Sequence, residues 1–234
     1  MLIDTKIGDV NGDLVLDIVY LTGDIVEGNP YYQNIKIIIE DGRTRYRYTV
    51  PLPPPYNIGA DPWIFLGGFT NDKAQDIFVP LPLNNRTVYY IVSFLNNRPI
   101  FILTPDIYPE NYEMLSKELD FSVIYRDFYK VDITSPKLNQ TITLDVSNRK
   151  QEYEGVIYNK DSTLIKPFKG FVTYSPFLYP VKSNGNEPLR LMAMDDIAGT
   201  SHVDSLGELV YYFKYDTPRQ AWVLDPKLAQ VLIQ

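Results

Sequence analysis

Apolar positions along this chain come in short runs separated by turn residues, and they alternate with polar ones at a period near two, which predicts strands. Residues 17–21 and 35–39 are rich in β-branched side chains, and the dipeptide Asp41-Gly42 predicts a turn leading into a third strand at 44–50. The same order recurs at 77–81, 87–95 and 99–103, with Asn96-Asn97 as a hairpin turn. Further strands are expected at 122–133, 140–146, 189–194, 209–215 and 221–224, with 216–220 turning the final hairpin. The run Pro51-Leu52-Pro53-Pro54-Pro55 is too stiff and too poor in N–H donors for a strand interior, so it reads as a link between the first two groups. One short helix is expected at 109–119, where Tyr112, Leu115 and Leu119 recur at helical spacing, and 153–169 reads as irregular.

A repeat is superimposed on this pattern. The segment Gly8-Asp9-Val10-Asn11-Gly12-Asp13-Leu14-Val15-Leu16-Asp17 puts side-chain oxygens at loop positions 1, 3, 5 and 9 and runs straight into a strand. A second copy keeps Thr70, Asp72 and Asp76 in register with Asn11, Asp13 and Asp17 but has Gly68 in place of Asp9. A third keeps Asn184-Gly185-Asn186 but carries Lys182 and Arg190 at positions 1 and 9. Asp9, Gly68 and Lys182 are spaced by one and then two intervals of nearly equal length, leaving room for one unit without a readable loop. Strand-rich units repeating at such a period predict a radial array. The expected fold is therefore all-β, a propeller-like single domain over 1–234 with units near 7–55, 56–108, 109–170 and 171–234, the third divergent.

Alternating oxygen donors before a strand suit Ca²⁺, which takes six to eight oxygen ligands with loose angular demands. In the first loop these are Asp9, Asn11, Asp13 and Asp17, with the main-chain carbonyl of Val15 as filler; Thr70, Asp72 and Asp76 form a weaker second set. Leu14 departs from the pattern, because position 6 of such loops turns with positive φ and is normally glycine. The competing reading is a turn held by Asp and Asn side chains that accept backbone N–H bonds, with no metal.

The loops resemble the FG-GAP or VCBS-type repeat of integrin-like β-propellers, which place Ca²⁺ in such turns. Over nearly the whole chain, Ser93-Phe94-Leu95-Asn96-Asn97-Arg98-Pro99, Tyr125-Arg126-Asp127-Phe128-Tyr129-Lys130-Val131, Leu178-Tyr179-Pro180-Val181 and Asp204-Ser205-Leu206-Gly207 are similar to a family of VCBS-repeat proteins of spore-forming Gram-positive bacteria. That resemblance implies a propeller, a Ca²⁺ loop and a place on a spore surface, without an assigned activity. Lys182 and Arg190 depart from it, so metal at the third loop does not carry over.

Composition narrows the function. The chain has 234 residues, no cysteine and one histidine, which excludes disulfides, thiolate zinc sites and His-rich metal centres. A net charge of −7 argues against nucleic acid and anionic membranes as partners. No apolar run is long enough to span a bilayer, and Met1-Leu2-Ile3-Asp4-Thr5-Lys6 lacks the basic start and apolar core of a signal peptide. If complete, such a chain would be made as a soluble cytoplasmic protein. Arg43, Arg45 and Arg47 would line one face of an edge strand, with an anion-binding stripe as the alternative. His202 reads as a surface or hydrogen-bonded loop residue. The 19 tyrosines are spread over expected strands and their surroundings, not gathered in one loop, and read as packing between sheets.

The expected role is a non-catalytic binding or structural module with a protein partner or self-assembly. The alternative is a carbohydrate-binding lectin or carbohydrate-active enzyme using exposed aromatics with loop carboxylates, for which Trp63, Trp222 and the 195–204 loop mark the place to look.

Overall fold

The computed structural model describes residues 1–70, 73–84, 86–105, 119–182 and 187–233. The expected helix at 109–119 lies almost wholly outside the described residues, as do Asp72 and residues 183–186 of the third loop. The described chain is mostly strand, in antiparallel sheets. It falls into two compact units: unit 1 comprises Met1–Glu110, Pro180–Arg190 and Lys214–Val223, and unit 2 comprises Asn111–Tyr179, Leu191–Phe213 and Leu224–Gln234.

Unit 1 contains two four-stranded meanders, β1(Leu2–Gly8), β2(Asp17–Ile25), β3(Tyr32–Glu40), β4(Arg47–Pro51) and β5(Phe65–Gly67), β6(Asp76–Pro82), β7(Thr87–Ser93), β8(Ile100–Leu103), each in chain order. In β2 buried positions alternate with more accessible ones, so one face packs inward, whereas β6 and β7 are buried at almost every position and lie covered on both faces. Val19, Leu21, Ile37, Ile39 and Val50 from the first sheet join Ile77, Val79, Tyr90 and Val92 from the second in one continuous core. The acidic loops connect the first two strands of each sheet, and the repeat is one of register: Gly8 pairs with Asp17 and Gly67 pairs with Asp76.

The expected arginine stripe is not formed. The strand begins at Arg47; Arg43 lies in the β3–β4 turn and Arg45 is left-handed, with φ +63°. A tight hairpin turn interrupts the extended backbone that an alternating stripe requires. Arg45 and Arg47 converge on the buried Glu40, each at 2.8 Å. Gly42 has no room for a Cβ, which would run into the carbonyl of Leu16, so this turn closes tightly over the first acidic loop.

Unit 2 holds a smaller sheet of β9(Ser122–Arg126), β10(Lys130–Ser135) and β11(Gln140–Asp145), ordered β11-β10-β9. The outer edge of β9 is covered by residues 168–170, which donate from Gly170 N to Val123 O at 3.0 Å and accept at Phe168 O from Tyr125 N at 3.1 Å. The last sheet is a meander of β12(Phe171–Val181), β13(Arg190–Ala198), β14(Ser205–Asp216) and β15(Ala221–Ile233). Between β11 and the 168–170 segment lies a helical turn, α1(Lys150–Tyr153), entered through a 3-10 turn at Ser147–Arg149. The buried aromatics of this unit include Tyr125, Tyr153, Tyr158 and Tyr211. Their flat rings meet edge-on or tilted, as at Tyr125–Tyr153 (5.8 Å) and Tyr129–Tyr158 (4.3 Å).

Candidate functional site

The first acidic loop is a knot of side chains on backbone. Asp9 accepts from the N–H groups of Gly12 (2.7 Å) and Leu14 (2.8 Å), Asn11 from Asp13 (3.0 Å), and Asp13 from Val15 (2.8 Å). Asp17, fully buried, accepts from Val10 (3.0 Å) and Gly42 (2.9 Å). Leu14 takes φ +67°, the left-handed turn that position 6 demands, with its side chain in solvent.

The sequence reading missed three participants: Arg43, Asp41 and Asn97. Arg43 Nε donates to Asp13 Oδ2 at 2.6 Å while its Nη2 donates to the Asp13 carbonyl at 2.9 Å, so a guanidinium supplies the positive charge there. Asp41 accepts from the N–H groups of Arg43 and Thr44 and from the amides of Asn11 and Asn97. The Asp41-Gly42 dipeptide signalled a turn, but nothing local in the sequence ties it to Asn11 or Asn97. Burial pushes the Asp17 carboxyl up despite its two N–H partners, whereas the Arg43 hydrogen bond pulls Asp13 down. As placed, these oxygens accept from backbone N–H groups and, at Asp13, from the Arg43 guanidinium. Among the described residues, no three Asp, Glu or His side chains form a group that could hold a metal.

In the second loop, Asp76 repeats the part of Asp17. It is fully buried and accepts from Phe69 N (2.8 Å), Thr70 N (3.0 Å) and the Thr70 hydroxyl (3.0 Å). Of the two tryptophans singled out, Trp222 is committed: its Nε1 donates to Ile102 O at 2.8 Å and its ring packs against Phe69 and Tyr215. Trp63 lies edge-on to Phe78 and is 42% exposed.

The expected 195–204 loop is shorter than read, because 195–198 belong to β13; beside its remainder, unit 2 carries a cavity of about 680 Å³, between the chain around α1 and the β13–β14 connection. Its wall is organised by Asp204. That carboxylate is ion-paired with Arg149 and accepts from Tyr153 OH (2.8 Å to Oδ1), Thr200 N (2.7 Å) and Thr200 Oγ1 (2.8 Å). Tyr125 OH donates in turn to Tyr153 OH at 3.3 Å, and Arg149 also reaches the carbonyl of Ser205. Gly199 is required beside this cluster, since a Cβ there would meet both Asp204 Oδ2 and the Tyr125 hydroxyl. Burial works to raise the Asp204 pKa, but Thr200, Tyr153 and the Arg149 charge outweigh it and leave the group below its ordinary value. Burial raises Tyr125 and Tyr153 well away from neutrality. His202 lies outside the cluster, exposed, with Nδ1 3.3 Å from the Thr173 hydroxyl and its ring against Phe171. No helix among the described residues is long and apolar enough to cross a membrane.

Comparison with known proteins gives two results. The sequence model of the YybI C-terminal domain matches residues 119–230, a span that holds the Asp204 cluster. A relative from Bacillus subtilis (strain 168), the uncharacterized protein YybI, is 36% identical over 217 residues, covering 91% of this chain and 79% of the relative. These matches overturn the FG-GAP and VCBS resemblance. It rested on alternating Asp, Asn and Gly, and the geometry gives that pattern another cause, since any hairpin loop tied by side-chain oxygens to its own N–H groups needs the same residues.

Proposed function

The chain belongs to the YybI family, and we propose that it acts as a non-catalytic binding and structural module. The observation that carries this reading is the condition of Asp204. A general acid or base must change protonation near the working pH. At the cavity wall the Asp204 carboxylate lies below its ordinary pKa and its oxygens are already engaged by Arg149, Tyr153 and Thr200, which argues against a general acid and supports a cluster that fastens two chain segments together. The test is incubation of the parent and of Asp204→Asn with panels of glycosides, esters and peptides. No turnover is expected from either; a turnover abolished by the substitution would overturn the reading.

The same proposal includes a protein partner or self-assembly into a layer such as a spore surface. Its support is the exposed apolar side chains on and around the first sheet, Leu2, Ile7, Leu14, Leu16 and Ile25, each more than half exposed. Light scattering over a concentration series, with fractionation of spores against vegetative cells, tests it. A monomer at every concentration, absent from the spore fraction, counts against it. The narrower fold proposal is that the four sheets are propeller blades, supported by the chain-order meander that each of them forms, four-stranded in three. A solution scattering curve that departs from a closed disc would rule this out. Calcium binding remains a proposal in restricted form: Ca²⁺ enters the first loop by displacing Arg43 from Asp13. The alternate spacing of donors and the left-handed Leu14 support it.

A further inference from the structure

We propose that the cavity beside Asp204 is a binding site for a neutral saccharide; this extends the binding reading above to a place and a ligand class. The volume, about 680 Å³, falls within the range of small-molecule sites and accommodates a short saccharide. Its two walls, the chain around α1 and the β13–β14 connection, are clamped by the Arg149 and Tyr153 bonds to Asp204, which Thr200 holds in place within the second wall. Binding therefore requires little ordering of the protein.

The polar groups left over define the ligand. Arg149 and Asp204 neutralise one another, so neither offers a net charge to a guest. Three lining side chains, Asn148, Glu152 and Ser201, make no side-chain hydrogen bond or ion pair among the described residues, and all three are solvent-accessible. They present a carboxylate with two acceptor oxygens, an amide with a donor beside an acceptor, and a hydroxyl that does both. Adjacent hydroxyls on a sugar ring each donate and accept, and a planar carboxylate or amide can engage two at once. Bonds from hydroxyls to a carboxylate such as that of Glu152 are of the stronger, charge-assisted kind. An anionic guest would be repelled by Glu152. A simple cation would gain one solvent-exposed ion pair, which is worth little, and would leave the amide and hydroxyl unused. Val156 and Val203, 64% and 94% exposed, supply an apolar rim against which the C–H face of a sugar ring can lie.

The experiment is calorimetric titration of the full chain with maltotriose, cellotriose and chitotriose, with spermidine and inorganic phosphate as cationic and anionic comparators. It is repeated on Asn148→Ala, Glu152→Ala and Ser201→Ala, whose accessible positions leave folding intact as checked by thermal melts. At least one trisaccharide is expected to bind, and Glu152→Ala and Asn148→Ala are each expected to weaken it at least about fivefold, roughly 1 kcal/mol, at unchanged melting temperature. No binding across the three sugars, or binding of spermidine or phosphate alone, overturns the proposal. Sugar binding that none of the variants alters overturns this location while sparing the binding reading. Cleavage of a bound sugar overturns the non-catalytic reading and leaves the site standing.

Discussion

At the scale of single residues, charge inside this protein serves attachment, and acidity reveals it. Asp204 has a folded pKa below the unfolded value of about 3.9, so its contribution is complete above that pH and is lost as pH falls through the folded value. Asp204→Asn is expected to cost about 2 kcal/mol at neutral pH, the scale for hydrogen bonds to a charged group. The gap between parent and variant should close as pH drops below about 4. Urea melts of both proteins across that range check this, and a gap that stays constant with pH would assign the loss to shape and not to charge. Arg43 offers the second residue-scale prediction. Its pairing with Asp13 is largely exposed, so Arg43→Ala should cost less than about 1 kcal/mol in EDTA. If Ca²⁺ competes for the same place, about 5 mM Ca²⁺ should raise the melting temperature more in Arg43→Ala than in the parent, by a ligand term that reaches about 2.7 kcal/mol at a hundred times Kd. Asp13→Ala should not respond. Equal responses in all three proteins would remove the calcium proposal.

At the scale of elements, Asp17 and Asp76 hold equivalent positions, each buried at the start of the second strand of its sheet and each accepting from the N–H seven residues before it. Truncating either to alanine leaves buried donors unsatisfied, at about 1–3 kcal/mol per group. Asp17→Ala and Asp76→Ala should therefore destabilise by similar amounts, about 2–4 kcal/mol for the two lost backbone bonds. A loss at Asp17 alone would show that the repeat is one of sequence only. Much of this level was legible in advance: β2, β3 and β10 carry the alternation of half-buried strands, and the loop register located both aspartates. Two kinds of feature were not. Arg43-Thr44-Arg45-Tyr46-Arg47 mimics strand alternation, but the tight closure at Gly42 and the left-handed Arg45 place most of it in a turn. β12 contains Pro176 and Pro180, which argue against a central strand on local grounds, and its place at the edge of the sheet accommodates them. The Asp204 cluster was legible only as a polar loop, because Arg149 and Tyr153 reach it from more than fifty residues earlier in the chain.

At the scale of the whole chain, sequence order and structural unit do not coincide. Unit 1 is built mainly from the first 110 residues but also takes Pro180–Arg190 and Lys214–Val223, which lie entirely within the span matched by the YybI C-terminal domain. Two contacts in unit 1 show what those late segments supply. Leu189 N donates to Gly68 O at 2.7 Å, and Trp222 both donates to Ile102 O and packs on Phe69. A fragment ending at residue 110 therefore lacks part of its own packing, and in a fragment limited to 119–230 the indole keeps Tyr215 but loses Ile102 and Phe69. Trp222→Ala in the full chain should cost about 3 kcal/mol, the lower end for a large aromatic because the side chain is only partly buried. Trp222→Phe, which keeps a ring but leaves the Ile102 carbonyl without its donor, should cost about 1 kcal/mol. Limited proteolysis read by mass spectrometry locates the damage. New cleavage is expected within residues 65–103 and not within 122–145, since the indole's partners Ile102 and Phe69 lie in the second sheet and the loop that opens it. If cleavage in Trp222→Ala instead began in 122–145, or if the isolated 1–110 fragment melted as cooperatively and as high as the full chain, the late segments would be dispensable to unit 1 and its boundary would follow the sequence after all.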